Sequence, residues 1–560
     1  MSNPVTVFRA KTIITMSRNR PKATHVAVMN GKVLAVGDAG DLEAWKGFWS
    51  DLTVDDRYAD MTLMPGFVEA HGHAMEGSVW HDLFLGYFER HSPDGTKEGG
   101  LKTIDAVLER LKKADAALED PTTPLIAWGY DPIYYDNARM TRQQLDTVST
   151  TRPIVITHAS FHIMNVNSKV LEDAGMFEET GVEGVLKDAT GDVTGELQEM
   201  AAMFMAMNAT GAGMRLREIA AEDLYRFAQS GVNAGVTTCT DLHQKMDDAA
   251  LAAYESATAD PDFQMRIVPA FGSLMWDVPG GIERVKMLKT KGNDKLHLGI
   301  VKVMTDGSIQ GFTARLKWPG YHNGAPNGIW NNPPQQLKDL IKAYNAEGIQ
   351  MHLHVNGDQA SEFVIDCLEE ALNENPHADH RHTLQHCQMA DAAQFKKAGA
   401  LGICANLFTN HIYYWGDQHY ELTMGPDRAN RMDACATALA HGVKLAIHCD
   451  VPVTPLGPLF TAWCAVNRLT ATGRVLGEAE KISLDDALYA ITLGAAWQLK
   501  LDHLVGSIEV GKFADFAVLD SDPYDVGGEK LKDIKVLGTV LSGRPQVSAI
   551  HGTPAELEPA

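Results

Sequence analysis

Met64–Met75 reads MPGFVEAHGHAM, a short apolar run ending in two histidines one residue apart. In an extended strand residues i and i+2 face the same side, so His71 and His73 can offer two imidazoles to one ion. Taken alone, the tripeptide is equally compatible with a surface pair, and the rest of the chain has to decide. Beyond this stretch, apolar segments of strand length recur at Asn233–Thr240, Gln264–Phe271, Leu298–Met304, Gln350–His354, His382–His386, Leu401–Asn406 and Leu445–Asp450, with helical patterns between them. Strand and helix in alternation predict a parallel sheet. Together with Pro65–His71 the strands number eight, the count of a (β/α)₈ TIM barrel.

The chain has 560 residues, more than one simple core usually holds, so the barrel is expected to carry additions. Residues 5–62 and 506–548 are both β-rich, and each contains a hairpin signal, Asn30-Gly31 and Ser542-Gly543. A small β-sandwich built from both termini, residues 1–62 plus 500–560, is therefore expected, enclosing a barrel domain over 63–499; two unrelated terminal hairpins are the alternative. Residues 75–232 are too many for an ordinary connection after the first strand. They contain a helical pattern from Leu101 to Leu118 and the apolar strands LIAWGYDP and RPIVITHASFH, which predicts an inserted subdomain able to serve as a lid or pocket wall.

Hydrophobic residues make up 45% and charged residues 22% of the chain, which excludes disordered and fibrous classes. A net charge of −23 argues against nucleic acid or an anionic membrane as partner. A small-molecule substrate is expected, and a homodimer or larger homo-oligomer stays open. Seven scattered cysteines without a C-x-x-C pair read as reduced, buried thiols. With no signal-like N-terminus and no apolar run long enough to span a bilayer, a cytoplasmic, soluble protein is expected.

Polar residues at the carboxyl ends of the eight strands form a chemically specific set: His71, His73, Lys302, His354, His386 and Asp450. In a barrel these ends share one mouth, and nitrogen and oxygen donors there suit zinc. Lysine has no lone pair as an ammonium, but carbamylation by CO₂ would make Lys302 an anion able to bridge two ions. A water held between divalent cations is acidified toward neutrality, and Asp450 can take its proton and deliver it to a leaving amine as general base and then acid. Lys302 as an ordinary ammonium beside a single metal is the alternative.

The ordered set of motifs resembles the amidohydrolase superfamily, more narrowly its YtcJ-like branch. PGFVEAHGH, VKVMTDGS, HVNGD, RHTLQHCQ, CDVPVTPLGPL and GSIEVGKFADFAVLD carry the resemblance over nearly the whole length. It implies that His71, His73 and Asp450 hold one metal and that His354 and His386 hold the other, with carbamylated Lys302 bridging two zinc ions. It also implies hydrolysis of an amide or related C–N bond. Ester, lactone or cyclic amide hydrolysis, or deamination, is the alternative chemistry; a catalytically silent binding or regulatory protein is the alternative class.

Several positions remain open at this level. His448 shares a face with Asp450 and is either an added ligand or a histidine packed deeper in the barrel. His352 stands in the same relation to His354, and could also replace it as ligand. Asp306 and Asp358 are candidates to accept hydrogen bonds from ligand imidazoles, or are turn formers. His162, followed by Asn167 in the insertion, resembles a family stretch that contacts substrate. Aromatics following strand ends or within the insertion, Trp80, Tyr130, Trp276 and Tyr414 among them, suggest an apolar pocket for a hydrophobic or aromatic substrate.

Overall fold

A computed structural model describes residues 4–182, 184–211 and 219–552; the remainder of the expected insertion and of the C-terminal β segment lies outside the described residues. The chain divides into two compact units, one made of Met1–His73, Ala228–Val451 and Leu456–Ala560, the other of Ala74–Phe227 and Pro452–Pro455.

The larger unit holds an eight-stranded sheet whose neighbours all pair in parallel. In chain order its strands are Phe67–Glu69, Val236–Gln244, Arg266–Gly272, Ile300–Met304, Met351–Val355, Thr383–His386, Cys404–Leu407 and Leu445–Ile447. Spatial order follows chain order, and beyond the two end strands Gly72 and Val451 form a parallel bridge, with the His73 N–H donating to the Val451 carbonyl at 2.9 Å. This is a TIM-like barrel. All eight strands read from the sequence are present, several of them trimmed at their ends. Residues in the middle strands are wholly buried, as in Met351–Val355 and Thr383–His386, the polar His352, His354, Gln385 and His386 included, so both faces of the sheet are covered.

Both chain ends enter one seven-stranded hydrogen-bonded sheet. Leu52–Pro65 joins them: Leu52–Leu63 pairs with Val5–Ile13, and Thr62–Pro65 pair with Phe516–Leu519. Each face carries apolar packing, Phe8, Ile13 and Phe516 on one side and Val5, Val7 and Leu42 on the other. Asn30-Gly31 and Ser542-Gly543 both form two-residue hairpin turns with positive φ, at 52° and 74° and at 49° and 79°. A Cβ on Gly31 would lie 3.1 Å from Ser542, so the turns from opposite ends of the chain meet there.

The smaller unit carries a six-stranded sheet containing Leu125–Tyr130 and Ile154–His158, both anticipated from the sequence. The anticipated helix runs Ile104–Ala117, where the Thr103 side chain accepts from the Ala106 N–H at 3.2 Å and Val107 and Leu111 supply the buried face.

The terminal sheet is tied to the barrel by a buried ion pair. Arg266, at the start of the third barrel strand, places Nη1 2.6 Å from Asp515 Oδ2, with side chains 0% and 3% exposed. Removing one partner of such a pair leaves a buried charge uncompensated, at a cost of about 3–5 kcal/mol. Arg266→Leu is expected to lower stability by that amount in urea unfolding, and the double variant Arg266→Leu/Asp515→Leu to recover part of it.

Candidate metal centre

Each histidine at the barrel mouth arrives on a strand end, so strand geometry sets the site. Glu69 ends the first strand, and His71 and His73 follow it at two-residue spacing; Lys302 and His354 lie within the fourth and fifth strands, His386 ends the sixth, and His448 and Asp450 follow the eighth. His71, His386, His448 and Asp450 each offer a ligand atom, all within 4.8 Å of one another and all buried. His71 stacks on His448 with ring centroids 4.6 Å apart and lies 4.4 Å from His386, whose Nδ1 is 3.1 Å from His448 Nε2.

Asp450 is the hub. Its Oδ1 lies 3.3 Å from His71 Nε2 and 3.1 Å from His73 Nε2, and its Oδ2 lies 3.8 Å from His386 Nδ1. Oδ1 is buried, and none of these approaches gives it a hydrogen bond of acceptable geometry; His448 Nδ1 is likewise buried without a hydrogen-bond partner. Burial pushes His71, His386 and His448 well below the ordinary imidazole value, and their neighbours, His73 and Lys302 among them, push the same way. Neutral imidazole nitrogens facing a carboxylate form a donor set that fits a divalent cation, and nitrogen with oxygen is the combination zinc takes.

The other anticipated ligands sit at the margin of this cluster. His73 Nδ1 donates to the Leu242 carbonyl at 2.8 Å, leaving Nε2 toward Asp450. Lys302 Nζ is 3.5 Å from His71 Nε2, and burial brings its ammonium down to about 7. His354 lies 4.5 Å from His386 by ring centroids, with Nε2 3.2 Å from Asn356 Nδ2 and 3.7 Å from Asp306 Oδ1. His448, one of the positions left open by the sequence, belongs to the central cluster. His352 does not replace His354: its Nδ1 meets Gln385 at 2.8 Å and its Nε2 meets the Gln498 carbonyl at 3.3 Å, within the barrel core.

Asp306 accepts from the Asn356, Gly357 and Arg315 N–H groups and so braces the loop beside His354. Asp358 is corrected: its carboxylate accepts from the Lys317 N–H at 2.8 Å, a loop-bracing contact rather than one to an imidazole. In the larger unit, half-buried Trp276 donates to the Lys245 carbonyl, and Tyr414 packs among Tyr413, Trp415 and Phe460. Three further candidates belong to the smaller unit. His162 Nδ1 is 3.1 Å from Glu199, and Trp80 lines a cavity of about 1060 Å³ within that unit. Tyr130 is fully buried against Tyr135 with its hydroxyl on the Ala138 carbonyl, a core position rather than a pocket wall.

Two buried residues escaped the sequence reading. Glu69 accepts from the His71 N–H at 3.2 Å and from Cys449 Sγ at 3.0 Å, and burial raises its carboxyl to about 8. Its position two residues before His71, on the same face, was the available signal. Gln385 contacts His71 Nδ1 at 2.6 Å. Neighbouring strand residues normally face opposite sides, but His386 has φ of 72°, and this left-handed turn lets Gln385 and His386 both enter the barrel. Asp450, with φ of 53°, is held in the same region, at about 1–3 kcal/mol per residue.

A barrel with such a cluster at its mouth defines a class, the metal-dependent hydrolases. The model of the amidohydrolase family matches residues 59–547, and the chain belongs to that family, in its YtcJ-like branch. Three relatives are similar along nearly the whole chain. Protein LONG AFTER FAR-RED 3 of Arabidopsis thaliana is 26% identical, covering 95% of this chain and 90% of its own. The putative amidohydrolase YtcJ of Bacillus subtilis is 25% identical over 95% and 97%. The N-substituted formamide deformylase of Arthrobacter pascens is 25% identical over 94% and 96%. Among solved structures, a metal-dependent hydrolase of unknown specificity from Pyrococcus horikoshii superposes with a TM-score of 0.69, 19% identity and 94% and 99% coverage, a likeness of fold.

The neutral histidines make a pH prediction for metal-stripped protein. Their folded values lie below the ordinary 6.5. As pH falls below 6.5 the unfolded chain therefore binds protons that the folded chain refuses, and stability drops. Urea midpoints are expected to fall as pH drops below about 6.5; with metal bound the fall should shift to lower pH.

Proposed function

We propose that the protein is a metal-dependent hydrolase cleaving an amide or other non-peptide C–N bond of a small, hydrophobic or aromatic molecule. The observation that carries this reading is the convergence of three neutral imidazoles on the Asp450 carboxylate. His71, His386, His448 and Asp450 would hold a divalent cation, zinc by donor type, with His73 and His354 beside them. Such an ion, when bound, supplies Lewis acidity and lowers the pKa of its water toward neutrality. Asp450 takes the proton from the attacking water and carries it to the leaving nitrogen, base first and acid afterwards. The barrel histidines, neutral and buried, stay fixed while the proton moves. Glu69 bonds both the His71 and Cys449 N–H groups and so ties the first and eighth strand ends in register.

The similarity to a formamide deformylase supports N-substituted formamides as the first compounds to assay, with amine release as signal. The strongly acidic chain supports a small-molecule ligand rather than nucleic acid. Among the described residues no helix is long and apolar enough to cross a membrane, which is compatible with a cytoplasmic location.

A second reading adds a second ion. Lys302 is buried beside His71 with its ammonium weakened, and its free amine form can take up CO₂ to become a bridging carbamate between the Asp450 cluster and His354.

Asp450→Asn is expected to retain bound metal by elemental analysis while turnover falls by about 10²–10⁴-fold; unchanged turnover contradicts the role. Lys302→Ala is expected to lower metal content from two ions per chain to one if the bridge exists, and two ions retained would refute it. Wild-type protein unable to bind any divalent ion would favour the silent binding or regulatory alternative.

A further inference from the structure

His352 lies below the metal cluster, buried in the barrel, and takes no part in the chemistry described so far. We infer that His352 is a positioning residue: acting through Gln385, it dictates which nitrogen of His71 carries the proton and so keeps the His71 Nε2 lone pair available to the metal. The inference rests on the metal-centre reading and goes beyond it, because it assigns the control of one ligand to a residue two positions away from it in a hydrogen-bonded chain.

The chain of contacts is ordered by what each atom can do. It begins at the Gln498 backbone carbonyl, which only accepts. His352 Nε2 lies 3.3 Å from it, so Nε2 carries the proton. In a neutral ring Nδ1 is then bare and must accept, and the Gln385 Nε2 amide supplies the donor at 2.8 Å. That orients the amide. Its Oε1 faces His71 Nδ1 at 2.6 Å and also accepts from Asn406 Nδ2 at 3.0 Å, so His71 Nδ1 must donate. A neutral imidazole with its proton on Nδ1 has a bare Nε2, and this nitrogen is the one 3.3 Å from Asp450 Oδ1 and 3.5 Å from Lys302 Nζ.

The starting carbonyl is itself clamped. Gln350 Nε2 donates to it at 2.6 Å, and the Gln498 side chain donates to the Ala405 carbonyl at 2.7 Å. His352, Gln385 and Gln498 are at most 0% exposed, so water offers no alternative partner. A reversed amide at Gln385 would set its NH₂ against His71 Nδ1, move the proton to Nε2 and remove the lone pair. His352 and Asn406 both penalise that reversal, since the bare His352 Nδ1 would then face a carbonyl oxygen and Asn406 Nδ2 would face an NH₂.

Two variants of similar polarity separate this role from packing. An Asn side chain places a carbonyl near the position of His Nδ1, where it can accept from Gln385, whereas a Gln side chain reaches the position of Nε2 and leaves Gln385 without its acceptor. Zinc affinity of the metal-stripped full chain is measured by competition with a chromophoric chelator, with circular dichroism melts to confirm folding. His352→Gln is expected to weaken zinc binding by about 10–100-fold, the range seen when partners of metal-bound histidines are lost; His352→Asn is expected to stay within about threefold of wild type, on the same basis. Gln385→Met, which removes the acceptor directly, is expected to weaken binding as His352→Gln does, and it decides the matter where His352→Gln fails to fold: wild-type affinity in Gln385→Met overturns the inference. Equal losses in folded Asn and Gln variants, or no loss in either, also overturn it while leaving the metal centre intact. Wild-type protein that binds no zinc sinks the parent reading and this inference together.

Discussion

The structure depends on keeping three imidazoles uncharged around one carboxylate. His71, His386 and the His448–Asp450 pair come from three different strand ends, far apart in the chain. Only a closed parallel barrel aims these ends into one space. The bridge between Gly72 and Val451, which joins the chain just past the first and eighth strands, lies between His71 and His73 on one side and directly after Asp450 on the other. Closing the barrel and assembling the cluster are therefore one event.

That arrangement is costly for an apo chain. Buried histidines refuse protons, Asp450 Oδ1 lacks a well-formed hydrogen bond, and His386 and Asp450 both hold left-handed backbone. Strain of this kind persists only where surrounding contacts over-determine it. Here they do: Glu69 ties both strand ends, Gln385 and Asn406 fill the barrel beneath His71, and Asp306 braces the loop beside His354 with three backbone hydrogen bonds. A cation bound among these donors would relieve what the polypeptide alone leaves unsatisfied, which couples metal binding to stability.

Much of this was legible in the sequence for local reasons. The eight strands are legible because segments of strand length alternate with helical patterns, and the Asn30-Gly31 and Ser542-Gly543 turns because positive φ at two successive positions selects those residues. The polar strand ends named most of the cluster. What stayed hidden depends on partners distant in the chain. His448 can be judged only against His71, over 370 residues earlier on, and strand alternation puts Gln385 opposite His386; only the left-handed backbone at His386 lets both enter the barrel. Asp358 illustrates the reverse error: a carboxylate four residues after a ligand looks like its support, but the Lys317 N–H claims it. The two chain ends share one sheet, as expected, because Leu52–Pro65 is long enough to pair with strands from both.

The buried His71, His386, His448 and Asp450 cluster is proposed to hold a divalent cation. Anomalous diffraction at the zinc edge from zinc-loaded crystals tests it most directly. A peak is expected within about 2.0–2.2 Å of donor atoms from these four residues. A map with no peak there, while the four side chains remain packed on one another, would contradict it.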